Sequence, residues 1–119
     1  MNELKRLQQE ILENKKRHGF NTTNIEQEFC YLYGEVSEAY EAYYKQKESL
    51  PEELADVAIF LLGISEILGI DLYEEIRRKV EINSKRKYSF NDNGKPIRTE
   101  DWLLNLEEIF SSKHIINRW

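Results

Sequence analysis

Four carboxylates define the chemistry open to this chain. Glu35 and Glu38 are spaced i, i+3, and so are Glu53 and Asp56. On a helix, residues at that spacing are neighbours on one face. The second pair opens a nearly unbroken apolar run, Leu54 to Leu68. Asp56 is therefore expected where a lone carboxylate is costly and needs a cation or donors. Two such pairs on facing helices would form a cage of acidic oxygens without histidine. That donor set suits a hard cation, Mg²⁺ above all, with Mn²⁺ as the alternative. A diiron centre would want Glu-x-x-His on two helices; neither pair has the His, so redox iron is set aside.

These residues must be positioned by helices. Leu, Ile, Glu and Lys are common, and the 119 residues include only 2 Pro and 5 Gly, a composition that favours an all-α domain. A first helix is expected from about Asn2 to Arg17, with Leu4, Leu7, Ile11 and Leu12 as its apolar stripe. Gly19 is its stop, and His18 reads as a cap. Thr23 with Glu26 fits a capping box for a second helix running into the mid-40s. That helix carries Glu35 and Glu38 beside Phe29, Tyr33, Val36 and Tyr40. Its tyrosines read as the wet edge of a core, with stacking on a nucleobase as the alternative.

Ser49 with Glu52 fits a second capping box, with Pro51 in the first turn of a third helix ending near Leu68. This helix is apolar nearly all round and must be buried on most sides. One short chain has few elements to surround it, so a subunit interface is expected along it. Facing carboxylate pairs impose a further condition. Were the second helix to run to Lys47, Glu38 would sit roughly 14 Å from its end, so that helix must stop earlier or the loop must fold back.

Gly69 reads as a left-handed stop, and Asp71 with Glu74 as the cap of a fourth helix, Leu72 to about Tyr88. Its last turns carry Lys79, Asn83, Lys85, Arg86 and Lys87. They read either as a cationic end favoured by the helix dipole or as a phosphate clamp. SFNDNGKP at 89–96 is turn chemistry. Beyond it, Thr99 is placed to cap a short helix with Trp102, Leu103, Leu106, Ile109 and Phe110. The expected architecture is an all-α bundle of about four core helices, completed by oligomerisation. Residues 1–88 form its core and 89–119 a turn plus a C-terminal helical tail.

Net charge is −5, which disfavours nucleic acid and anionic membrane as partners. No apolar run approaches the roughly 20 residues of a membrane span, and MNELKRLQQEIL lacks a signal core. Cys30 has no partner in the chain. The expected location is the cytoplasm.

GEVSEA, then EELADV, then KVEINSKRKY resemble the MazG-like, all-α nucleoside triphosphate pyrophosphohydrolase superfamily, over roughly residues 24–88. The resemblance implies that Glu35, Glu38, Glu53 and Asp56 are Mg²⁺ ligands. It implies that Lys79, Asn83 and Arg86, or Lys87 in place of Arg86, contact the nucleotide. It also implies hydrolysis of a nucleoside triphosphate to monophosphate and pyrophosphate, a nucleotide-pool housekeeping role, and a homodimer or homotetramer. Glu38 is the carboxylate assigned to take the proton from water. Gly34 stands where the superfamily motif carries its first Glu. The rival expectation is a non-catalytic helical dimerisation or regulatory protein that binds nucleotide or a protein partner.

Overall fold

The computed structural model describes residues 1–99. They form four helices and one hairpin: α1 (Glu3–Arg17), α2 (Ile25–Tyr44), α3 (Leu50–Ile67), α4 (Leu72–Lys85), β1 (Tyr88–Phe90) and β2 (Pro96–Arg98). The all-α expectation holds. The chain divides into two compact units, Met1–Arg77 and a second that begins at Arg78, inside α4.

In the first unit α3 packs against both α2 and α1. Its own sequence explains why: it is the most apolar helix, and Leu62, Gly63, Ile64 and Ser65 are its buried residues. Gly63 marks the closest approach, since a Cβ there would lie 3.3 Å from Cγ2 of Ile11 on α1. The four helices are joined by three short reversals, and all three begin with the same device. After α1 the amide of Phe20 donates to the Lys15 carbonyl at 2.8 Å. After α2 Lys47 donates to Ala42 at 2.8 Å, and after α3 Ile70 donates to Ser65 at 2.8 Å. Each is the wide bond of a Schellman motif, which needs a left-handed residue just before it. Gly19 (φ 74°) and Gly69 (φ 72°) supply it as expected; after α2 it is Gln46, at φ 54°.

Two caps differ from expectation. Asn24, not Thr23, caps α2, its side chain accepting from the amide of Gln27; in NTTN the cap that wins is the one adjoining the first helical turn. Ser49 is the N-cap of α3 but sits in the right-handed helical region and makes no side-chain cap bond. Asp71 does cap, with Oδ1 accepting from the Glu74 amide at 3.2 Å. The α3–α4 turn is also held from α1. Gln8 is fully buried; its Nε2 donates to the Ile70 carbonyl (2.9 Å) and to Glu66 (3.1 Å), and its Oε1 accepts from the Leu72 amide (3.0 Å).

The burial expected all round α3 is not found among the described residues. Leu54, Ile59 and Leu61 remain 55%, 44% and 41% exposed; among the described residues the helix packs chiefly against α2 and α1. Among the described residues the buried hydrophobics are only Ala39, Ala42, Leu62 and Ile64. No described helix is long and apolar enough to cross a membrane.

In the second unit α4 ends at Lys85, short of the expected Tyr88, and β1 pairs antiparallel with β2 through Tyr88–Arg98, Ser89–Ile97 and Phe90–Pro96. The expected turn is present between these strands. Asn91 Oδ1 accepts from the amides of Asn93 (3.0 Å) and Lys95 (2.9 Å), and Gly94 takes φ 78°. The amide of Thr99 donates to the Lys87 carbonyl at 2.7 Å, closing the base of the hairpin. The expected tail helix, with Trp102 and its neighbours, lies outside the described residues.

Candidate metal centre and adjoining cavity

The condition set by the two carboxylate pairs is met by the end of α2. The helix stops at Tyr44, so Glu38 lies roughly 9 Å back along it at about 1.5 Å per residue. The left-handed Gln46 then turns the chain sharply back into α3. Glu53 reaches Glu35 and Glu38 as a result: one carboxylate oxygen from each of the three lies within 4.8 Å of the others.

Asp56 is placed differently from expectation. It is exposed and stands outside that close group, one turn beyond Glu53 on α3. It still acts on the cluster, since its negative charge contributes to the shift at Glu35. Among the described residues the expected cost of burying it is absent, since Leu54 and Ala55 beside it on α3 are themselves exposed.

Glu35 carries the electrostatic strain of the group. Its carboxyl is pushed above the ordinary glutamate range, first by burial. Next come the charge of Glu38 and a hydrogen bond to Glu38 that only protonated Glu35 can make, then the charges of Asp56 and Glu53. Its Oε2 is shielded from solvent and accepts no hydrogen bond. A shielded acceptor without a donor is costly, and like charges this close resist joint ionisation. A divalent cation removes both costs at once, and all-oxygen donors match Mg²⁺ or Mn²⁺. The donor chemistry therefore fits such an ion.

A cavity of about 440 Å³ opens beside the cluster. Glu35, Glu38 and Gly34 line it together with Phe20, Tyr31 and Phe60. Tyr31 and Phe60 meet edge-on at 6.0 Å. Lys15, Asn21 and Glu28 line the cavity as well; the Glu28 side chain is 1% exposed and forms a salt bridge with Lys15. Asn21 Nδ2 donates to its other oxygen at 3.0 Å, and the Lys15 ammonium lies 5.2 Å from the centre of the Phe60 ring. This network ties the α1–α2 loop to both helices. Sequence reasoning passed over it, although Glu28 stands seven residues before Glu35 and so on the same helix face.

The remaining expected site residues belong to the second unit. Lys79 and Asn83 lie on α4, half-buried, at i, i+4; Arg86 follows at the next turn, and Lys87 is exposed. Asn83 Oδ1 is shielded and accepts no hydrogen bond.

No family model matches the chain. A curated dATP/dGTP diphosphohydrolase of Cyanophage S-2L is 46% identical over 44 residues, which is 37% of this chain and 42% of that protein. The chain thus matches less than half the length of this relative. Among solved structures, a MazG-like pyrophosphohydrolase of Cyanophage S-2L, bound to dGDP and three catalytic Mn²⁺ ions per active site, superposes with a TM-score of 0.61. It is 27% identical, covering 84% of this chain and 100% of that one.

Proposed function

We propose that this MazG-like chain is a divalent-metal-dependent nucleotide pyrophosphohydrolase, converting a nucleoside triphosphate and water to monophosphate and pyrophosphate. The resemblance read in GEVSEA and EELADV is borne out by both relatives. The observation that carries the activity is the convergence of Glu35, Glu38 and Glu53 within 4.8 Å, with Glu35 strained in the absence of a cation.

Such a cation supplies charge neutralisation and a more acidic bound water. Glu35, Glu38 and Glu53, with Asp56 from the next turn, are the residues we assign to hold it as Mg²⁺ or Mn²⁺. A triphosphate carries about four negative charges and would be repelled by bare carboxylates. Glu38 is exposed, so its carboxylate is reachable by water and is our choice for the proton acceptor. Lys79, Asn83, Arg86 and Lys87 are assigned to the departing pyrophosphate by their chemistry, since developing negative charge is best met by fixed cations and amides. Deoxypurine triphosphates are the first substrates to try, because the curated relative is named for dATP and dGTP. Removal of surplus or noncanonical nucleotides in the cytoplasm is the role that the family resemblance implies.

We assign the working form to a homo-oligomer, a dimer or a dimer of dimers. The support is the sparse set of buried hydrophobics among the described residues, beside the exposed Leu54, Ile59 and Leu61 of α3; apolar side chains left exposed on the most apolar helix are what an interface would cover.

The test of the activity is turnover in ¹⁸O-labelled water. Label in the monophosphate is expected. Label in pyrophosphate alone, or orthophosphate with a nucleoside diphosphate, would overturn the reading.

A further inference from the structure

Two glycines lie inside helices of the first unit, and only one is accounted for by packing among the described residues. Gly63 lets α1 and α3 approach, and a Cβ there would press on Ile11 at 3.3 Å. Gly34 has no such reason. It sits in the middle of α2, is not among the glycines with positive φ, and a Cβ built on it meets nothing within 4 Å. Glycine there destabilises the helix relative to alanine. Gly34 is exposed and lines the cavity, so the space over its Cα, which no described residue occupies, is open to something that enters from outside.

Its neighbours say what enters. Tyr31, Gly34, Glu35 and Glu38 follow one another along a single face of α2, at i, i+3, i+4 and i+7. From the aromatic wall to the far carboxylate this stripe is roughly 10 Å long at about 1.5 Å per residue. A ligand with a flat ring at one end and phosphates at the other, held by ions on the carboxylates, must cross the helix at Gly34 with the part that joins them. We propose that Gly34 is a specificity-determining position that admits the sugar of a bound nucleotide against the α2 backbone, with the base among Phe20, Tyr31 and Phe60. This rests on the nucleotide reading given above.

The experiment compares Gly34→Ala and Gly34→Leu with the unaltered protein by three readouts. The first is thermal stability with and without Mn²⁺. The second is calorimetric binding of deoxyguanosine monophosphate. The third is KM and kcat for dGTP. Gly34→Ala is expected to melt about 4 °C higher, through helix propensity. In both variants mononucleotide binding weakens, roughly tenfold for Ala and a hundredfold or more for Leu, and the loss in turnover falls on KM. The rise in melting temperature caused by Mn²⁺ stays as in the unaltered protein.

Unchanged mononucleotide affinity in Gly34→Leu overturns the proposal. So does loss of the Mn²⁺ response together with the affinity, which would place Gly34 in the metal site instead. A change in sedimentation with nucleotide affinity intact would assign the clearance to a second copy of the chain. Failure to release pyrophosphate from any triphosphate would defeat the enzymatic reading alone. Mononucleotide binding that is present in the unaltered protein and lost in Gly34→Leu would still support the clearance, and its absence from the unaltered protein would overturn it.

Discussion

Replacing Glu35 by glutamine should reverse its own sign when metal is added. Without metal, Glu35 holds its proton above the ordinary range because of burial and because Glu38, Asp56 and Glu53 crowd it. Glutamine has the same shape, no charge, and an amide that can donate to Glu38. Removing one like-charge pair at i, i+3 is worth roughly 0.2–0.5 kcal/mol, so metal-free Glu35→Gln should be more stable by about that much. That is a rise in melting temperature of about 2 °C for a domain of this size. The pH sign follows from linkage. Below the ordinary glutamate value of about 4.3, residue 35 is neutral in both states and the two proteins should coincide. As pH rises through the raised folded value, the wild type loses stability relative to the variant, because folding then opposes ionisation. With metal the order inverts. An ion at one hundred times its dissociation constant stabilises the folded wild type by about 2.7 kcal/mol. If the variant binds a hundredfold more weakly, it gains only about 0.4 kcal/mol at the same concentration. Glu35→Gln should therefore melt above the wild type in chelator and well below it in Mn²⁺, by differential scanning calorimetry at neutral pH. Curves that keep one order in both conditions would refute the assignment of Glu35 to the ion.

Three further outcomes are expected. Gln8→Leu keeps the bulk but orphans the Leu72 amide and the Ile70 carbonyl. At about 1 kcal/mol or more for each partly shielded group, urea denaturation should show a loss of about 2–3 kcal/mol with m unchanged. Gln46→Gly should stabilise by about 0.5–1 kcal/mol in the same assay, since a left-handed φ is strained for a residue with a Cβ and free for glycine. Ile59→Glu, at a site 44% exposed, should dissociate the oligomer with helicity retained, whereas Leu62→Glu, at a site 7% exposed, should unfold the chain itself; sedimentation and circular dichroism separate the two.

Helix ends and carboxylate spacing were the legible parts of this sequence, each for a local reason. Gly19 and Gly69 announce left-handed stops because glycine alone adopts them freely. Gln46 does the same work unannounced, because glutamine has no such preference and only the returning helix holds it there. Asn24 could not be told from Thr23 as a cap, since both side chains suit the role and the first turn decides. Tyr88–Phe90 and Pro96–Arg98 are too short for strand alternation to register, although the Asn-Gly of NDNGKP is a hairpin signal in its own right. At the site, ExxE marked one helix face unaided. The exposure of Asp56 was not readable, because it depends on what covers α3 rather than on its own neighbours. Glu28 was missed because its partners, Lys15 and Asn21, come from other elements.

Gly19 and Phe20 divide labour in a way that bears on how this cavity could change over generations. Gly19 takes the left-handed turn that ends α1, and Phe20 contributes only its backbone amide to the closing bond, to Lys15. The Phe20 ring is 63% exposed and lines the cavity. Any residue other than proline can supply that amide, so position 20 is free to vary in size and polarity at little cost in folding. A stop signal with a replaceable wall attached is an adjustable position: the pocket can be recut there while the helix that ends before it is left untouched.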